Sequence, residues 1–233
     1  MAILTWKNVV MKTICIMILF ASLFPLAARA GAPDLDQTVL KVQEAYEGIR
    51  DLSARFYQIS LVRGSGGKEE SNGTVWLKKP GMMRWEYKSP EARLIVCDGK
   101  TLYIYSPADR QVIVQEASKA FSSTAVNLLA GMGKLKEDFS IRWGKEAAKS
   151  GRGALLLELK PVQSQGQIEQ VLMEVNPQTF LVERIVLKDI LSNTTTITFK
   201  KVKTNTGAGD SLFTFVPPAG TQVIKGMPGM KRP

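Results

Sequence analysis

The sequence predicts a mainly β protein of the α+β class, one wide curved antiparallel sheet carrying two helical segments. Three observations lead there. Short apolar runs rich in Val, Ile, Trp and Tyr recur from Leu52 to Val202, bounded by Pro, Gly, Asn or Asp, the pattern of strands joined by tight turns. Two segments depart from it, with apolar residues at every third or fourth position, as one face of a helix requires. In the second half the strand period is clean: Leu155, Leu157 and Leu159 alternate with Leu156, Glu158 and Lys160, and Ile185 and Leu187 with Arg184, Val186 and Lys188. Such alternation predicts one face in the core and one in water.

Residues 1–30 stand apart from the fold. Lys7 and Lys12 make a basic start, Ile14 to Leu26 is an apolar run of 13 residues broken only by Ser22 and Pro25, and Ala28-Arg29-Ala30 supplies small residues for a peptidase. This is the pattern of a secretory signal cleaved after Ala30, and the apolar run is short for a membrane span. Met11-Lys12 resembles a more usual start of such a signal. No Cys follows the cleavage site, so no N-terminal lipid is expected. Removing 30 of 233 residues leaves 203, enough for one sizeable core, and we expect a single domain over 31–225 with a basic tail at 226–233. Losing Lys7, Lys12 and Arg29 lowers the net charge from +10 to about +7. That surplus is scattered and the chain is exported, so anionic membrane surfaces or acidic proteins are the expected partners, not nucleic acid. Cys15 leaves with the signal, so Cys97 has no internal disulfide partner and reads as a small buried hydrophobe.

The elements follow in order. Asp34 caps a helix and Asp36 lies in its first turn, where the helix dipole favours acids; Leu35, Val39, Val42, Tyr46 and Ile49 form its apolar stripe, through about Arg50. Leu52 to Val62 is a strand with Leu52, Ala54 and Phe56 on one side and Ser53, Arg55 and Tyr57 on the other. After a Gly-rich connection at 63–68 come Asn72 to Lys78, Met82 to Tyr87, Ala92 to Cys97, Thr101 to Tyr105 and Gln111 to Gln115, with Asp98-Gly99 as a type I′ turn. Between Ser118 and Phe139 the period is helical, through Phe121, Ala125, Leu128, Leu129 and Met132. Strands resume at Phe139 to Trp143, Ala154 to Pro161, Gln167 to Val175, Leu181 to Asp189 and Thr194 to Val202. Phe213-Thr214-Phe215 closes the domain. A sheet of about ten strands tends to curl, and the simplest packing lays the helices across its concave face.

Groups that would carry catalysis are missing. The chain has no histidine, which removes Ser-His-Asp and Cys-His arrangements and most zinc sites. The acid pairs Glu69-Glu70 and Glu137-Asp138 read as solvated charges, and Gly64, Gly66 and Gly67 precede no helix and make no phosphate loop. We therefore expect no enzyme, no cofactor and no metal. What stands out instead is apolar: Met82, Met83, Trp85 and Tyr87 crowd one short strand, the composition of surfaces that accept varied apolar shapes. A curved sheet under a thin helical cover leaves room for acyl chains.

Several stretches resemble a known family. Gly73 to Trp85 (GTVWLKKPGMMRW), Asp98-Gly99-Lys100-Thr101-Leu102 with Tyr105, Pro107 and Gln111-Val112, the early Leu52 to Gln58, and the ending Phe213 to Gly220, similar to the family's last strand and its turn, resemble the periplasmic lipoprotein carriers of the LolA family, in order along the mature chain. The resemblance implies an unclosed β-barrel with a helical lid over a hydrophobic cavity. It implies a soluble periplasmic monomer that takes acylated outer-membrane lipoproteins from a LolCDE-type inner-membrane transporter to a LolB-like acceptor or the outer membrane. The cavity is expected from Leu52, Phe56, Met83, Trp85 and Tyr87 on the sheet side and Phe121, Leu128 and Leu129 on the lid side. Many members carry Arg before the proline as a lid latch; here the position is Lys79, which lacks the rigid guanidinium fork, and Met83 stands where an aromatic residue is often found. A carrier or sensor of another lipid on the same fold, and a structural β-domain that binds proteins, are the rival readings.

Overall fold

The computed structural model describes residues 33–64, 66–120, 135–145, 153–163 and 168–226. The expected signal segment and most of the second helical segment, with Phe121, Leu128 and Leu129, lie outside them. Among the described residues, the chain from Asp34 onward builds one sheet on which one long helix is packed. Helix α1 is Leu35–Glu47 and α2 is Ala117–Ala120; α3 is Leu135–Asp138. The strands are β1 Asp51–Leu61, β2 Lys68–Lys78, β3 Met82–Ser89, β4 Arg93–Asp98, β5 Thr101–Ser106, β6 Gln111–Glu116, β7 Phe139–Trp143, β8 Leu155–Pro161, β9 Ile168–Val175, β10 Val182–Asp189, β11 Thr194–Thr204 and β12 Gln222–Lys225. They form one unclosed sheet in the order β12-β6-β5-β4-β3-β2-β1-β11-β10-β9-β8-β7.

Helix α1 forms as its sequence requires. The Asp34 carboxylate accepts from the Gln37 amide at 2.8 Å, satisfying one of the free donors of the first turn. Val39, Val42 and Tyr46 are buried, and Leu35 and Ile49 pack beside them, so the whole predicted stripe faces the sheet. The helix stops at Glu47, not Arg50: the Ile49 amide closes on the Tyr46 carbonyl at 3.2 Å, a tighter turn than the α-helix, and the chain enters β1.

The inner face of the sheet carries the main core. Leu52, Ala54 and Phe56 of β1 point into it, with Val75 and Leu77 of β2, Met83 and Trp85 of β3, Leu157 and Leu159 of β8, and Phe199 of β11. A second, smaller apolar layer lies on the outer face. There Phe213, in a 3-10 turn at Asp210–Phe213, is fully buried, and Phe215 packs on Tyr103 and Tyr105 with ring centroids 5.5 and 5.4 Å away. Arg84 donates to the Leu212 carbonyl at 3.1 Å and Lys78 to the Ala208 carbonyl at 2.6 Å, which ties this C-terminal segment across the back of the sheet. Its near end is fixed by Asp51, whose buried carboxylate accepts from the amides of Thr206 and Gly207 at 2.8 and 3.0 Å and from the Thr206 hydroxyl at 2.7 Å.

Five expectations are corrected. The strands among the described residues number twelve rather than about ten, and the sheet is not wholly antiparallel, because β12 runs parallel to β6. Phe213-Thr214-Phe215 is not in the sheet; it serves as the outer-face cover, and the final strand lies beyond Pro217-Pro218. On β8 the alternation is not clean, since Leu156 and Glu158 are buried as well, Glu158 being paired with Arg142 of β7. At the β4–β5 turn only Gly99 has positive φ, 93°, the pattern of a II′ turn rather than I′, with Asp98 accepting from the amides of Lys100 and Thr101.

Candidate functional site

Register builds the candidate site. Residues directly opposite one another in an antiparallel ladder share a face. One row across the inner face is Leu52, Leu77, Met83, Cys97 and Leu102; the next is Ala54, Val75, Trp85, Ile95 and Ile104; the third is Phe56, Gly73 and Tyr87. All five sheet residues singled out in the sequence, Leu52, Phe56, Met83, Trp85 and Tyr87, therefore project from the same face. Phe56 is their centre. Its ring lies 4.9 Å from that of Trp85 and 4.9 Å edge-on to Tyr87, while Trp85 and Tyr87 stack at 6.5 Å and Trp85 meets Phe199 at 6.3 Å. Aromatic pairs in such geometries add roughly 0.5–1.5 kcal/mol each to their area burial.

In this state the face is shut. Phe56 is fully buried and Trp85 is only 7% exposed, so an apolar guest enters only if what lies on the sheet moves. Part of that cover is α1. The Tyr46 hydroxyl accepts from the Val182 amide at 3.1 Å, and burial pushes its pKa up to about 12, so it stays a neutral anchor. Lys79, the predicted latch, reaches the end of the same helix: its ammonium donates to the carbonyls of Tyr46 at 2.7 Å and Glu47 at 3.1 Å, and its amide to the Arg50 carbonyl at 2.9 Å. A cation there satisfies free C-terminal carbonyls and complements the negative end of the helix dipole. Asn205 reinforces the same corner, accepting from the Arg50 amide at 2.7 Å and donating to the Gly48 carbonyl at 3.2 Å. At the other end of α1 the exposed Asp36 pairs with Lys136 at 2.9 Å.

The aromatic floor runs out into a polar mouth. Tyr87 donates to Gln58 Oε1 at 3.2 Å. Both residues line a cavity of about 350 Å³ with Glu69, Ser71, Pro90, Glu91 and Arg93. The lid-side residues Phe121, Leu128 and Leu129 lie outside the described residues. Sequence reading missed Gln58 and Arg93, although Gln58 stands two residues beyond Phe56 and so shares its face, and Arg93 is the cross-strand partner of Tyr87. It also missed Tyr46 as an anchor, counting it only as part of a stripe. Cys97, in the middle of the first row, is fully buried, and burial pushes its thiol up, which suits a packing residue and not a nucleophile.

Residues 47–216 match the family model described as "Outer membrane lipoprotein carrier protein LolA". The chain is 30% identical over 203 residues to the outer-membrane lipoprotein carrier protein of Dechloromonas aromatica (strain RCB), covering 87% of this chain and 92% of that one. It is 33% identical over 201 residues to the protein of the same name from Chromobacterium violaceum, covering 86% and 94%. Among solved structures it is similar to an uncharacterized conserved protein from Thermus thermophilus, with a TM-score of 0.51 at 15% identity over 82% of this chain and 98% of that one, a likeness of fold.

Proposed function

The chain belongs to the LolA family of outer membrane lipoprotein carriers, and from that premise we infer that its inner face holds the acyl chains of the cargo. It is a periplasmic lipoprotein carrier by family, and its work is binding and release. The observation that carries the cavity assignment is the convergence of Leu52, Phe56, Met83, Trp85 and Tyr87 on one face, under a helix whose C-terminal end is held by the Lys79 ammonium. Each buried CH₂ contributes about 0.8 kcal/mol, so one acyl chain provides the drive to displace the cover. Lys79 acts as the latch by holding the C-terminal end of α1. Phe121, Leu128 and Leu129 supply the lid side. The polar mouth around Gln58 and Arg93 receives the peptide that follows the lipid, since amides there find donors and acceptors. Loading comes from a LolCDE-type transporter and delivery goes to a LolB-like acceptor or the outer membrane. Because an apolar pocket holds its guest in proportion to buried area, delivery needs a second state of lower affinity or a stronger acceptor.

Spheroplasts test this reading. Incubated with the purified protein, they should release newly made lipoproteins into the soluble fraction as a one-to-one complex. Trp85→Glu and Phe121→Glu should abolish release, while Val162→Glu, on an exposed position, should not. Circular dichroism separates lost binding from lost fold. Absence of release with a different lipid bound, identified by mass spectrometry, would overturn the cargo assignment.

A further inference from the structure

The outer face of the sheet is dressed unevenly. Phe213 and Phe215 cover it over β3 to β5. Over β1 and β11 the side chains stand in solvent: Tyr57 is 56% exposed, Ile59 36% and Leu61 47%. Isolated exposed apolar residues are ordinary, but a contiguous set is not. These three are alternate residues of β1, and the set continues past the strand end. The Arg63 amide donates to Asn193 at 3.0 Å and Leu61 pairs with Thr194, which sets the β10–β11 turn beside the β1–β2 turn. That turn holds Ile190 and Leu191 at 63% and 67% exposure.

The other end of the same bare strip is cationic, and a bulge makes it so. Arg55 pairs with Lys200 but Ser53 pairs with Lys203, so β11 carries one extra residue there, with Lys201 at φ 53°. In a regular strand, residues three apart point to opposite faces. The bulge cancels that half-period: Phe199 and Val202 both stay with the core, and Lys200 and Lys203 both come out beside Arg55. No ion pair among the described residues reaches Arg55, Lys200, Lys201 or Lys203, whereas nearby Glu70 is already held by Lys68.

We propose that this bare outer strip, apolar at its hairpin tips and cationic at the β11 bulge, docks the protein on an anionic lipid bilayer. Lysine and arginine without acidic partners suit headgroup phosphates. Tyr57 is amphipathic and suits the interface, and Ile190 and Leu191 sit at a turn tip, where shallow insertion needs no rearrangement. The net charge, +10 over the full sequence and about +7 without residues 1–30, adds attraction at longer range. Such docking is shallow and salt-sensitive, as a carrier that must leave again requires. It is separate from the cargo face, which lies on the other side of the sheet.

Co-sedimentation of the whole purified protein with vesicles tests the proposal. Binding to phosphatidylglycerol-containing vesicles should exceed binding to phosphatidylcholine vesicles and fall with salt. Lys200→Glu/Lys203→Glu should weaken it at least about tenfold, from roughly fivefold per basic residue, and Lys200→Arg/Lys203→Arg should not. Ile190→Ser/Leu191→Ser should leave only the salt-sensitive part. Thermal melts of each variant report folding, and lipoprotein release from spheroplasts in their presence should be kept. Equal binding to both vesicles, no binding, or binding lost in Trp85→Glu but kept in the lysine variants would overturn the proposal; no binding would favour an acidic protein as the occupant.

Discussion

Gly73 stands directly opposite Phe56 in the β1–β2 ladder, and a Cβ added to it would lie 2.8 Å from Phe56 Cε1 and collide with the Glu86 carbonyl oxygen. The space for the central ring of the aromatic cluster is thus the side chain that Gly73 lacks. Gly73→Ala must either push Phe56 toward α1 or part β2 from β3. We expect a loss of about 1–3 kcal/mol, the usual cost of overpacking, read as a lower urea midpoint, with near-ultraviolet circular dichroism of Trp85 and Tyr87 changed in the native state. An unchanged midpoint and spectrum would show that the ladder yields freely there.

Lys79 is the next test. Lys79→Ala leaves the carbonyls of Tyr46 and Glu47 without their cation, and hydrogen bonds to a charged group are worth about 1.5–3 kcal/mol. Hydrogen exchange should quicken at the amides of Gly48 and Ile49, which close the last turn of α1, far more than in β4 or β5. Lys79→Arg should restore most of the protection, since a guanidinium also spans two carbonyls. Uniform exchange across the molecule would place the effect in global stability instead.

Asp51 gives the pH dependence. Its carboxyl is held below the ordinary carboxylate range, chiefly by the Thr206 hydroxyl and then by the backbone amides beside it, against the opposing effect of burial. A depressed folded pKa contributes stability that is present above the unfolded value of ~3.9 and lost as pH falls through the folded value. Asp51→Asn should cost about 1–3 kcal/mol at neutral pH. The gap to the parent should narrow as pH drops below about 4. A gap that stays constant down to acid would mean the carboxylate charge is not what holds the 206–207 amides.

Cys97 should be silent to thiol reagents. It is fully buried with its thiol pushed up, and only unfolding exposes it. Labelling by an aromatic disulfide reagent should follow the global unfolding equilibrium as denaturant is added. Fast labelling in native buffer would reveal that the inner face opens locally without unfolding.

Strand positions were legible because alternation and turn residues are local: β7 begins and ends where its pattern does, and β1 differs by one residue at each end. The sheet side of the candidate site followed, since Leu52 and Phe56, or Met83, Trp85 and Tyr87, share parity within a strand. What local pattern lacks is register between strands. Gly73 reads as an ordinary strand glycine until Phe56 is placed against it, and Lys79 is a latch by resemblance alone, with no named partner, until the end of α1 is brought to it. Glu158 looked wet because its partner Arg142 comes from another strand. The last strand was hidden for a related reason. Gln222-Val-Ile-Lys is too short to signal alone, and Phe213-Thr214-Phe215 imitates a strand while covering the outer face.

The uneven fastening of α1 makes it a lever. Among the described residues its polar ties gather at the C-terminal corner, on Tyr46, Lys79 and Asn205, while the far end is tied to its surroundings by the exposed Asp36–Lys136 pair. Apart from Lys41, whose ammonium lies over the Phe180 ring at 5.2 Å, the contacts along its length are apolar and carry no direction, so they resist rotation less than the corner does. A helix of 13 residues is ~20 Å long at 1.5 Å per residue. A turn of about 10° at the fulcrum therefore sweeps the far tip by roughly 3 Å, and an adjustment of one ammonium against two carbonyls is geared up into a gap approaching the width of a hydrocarbon chain.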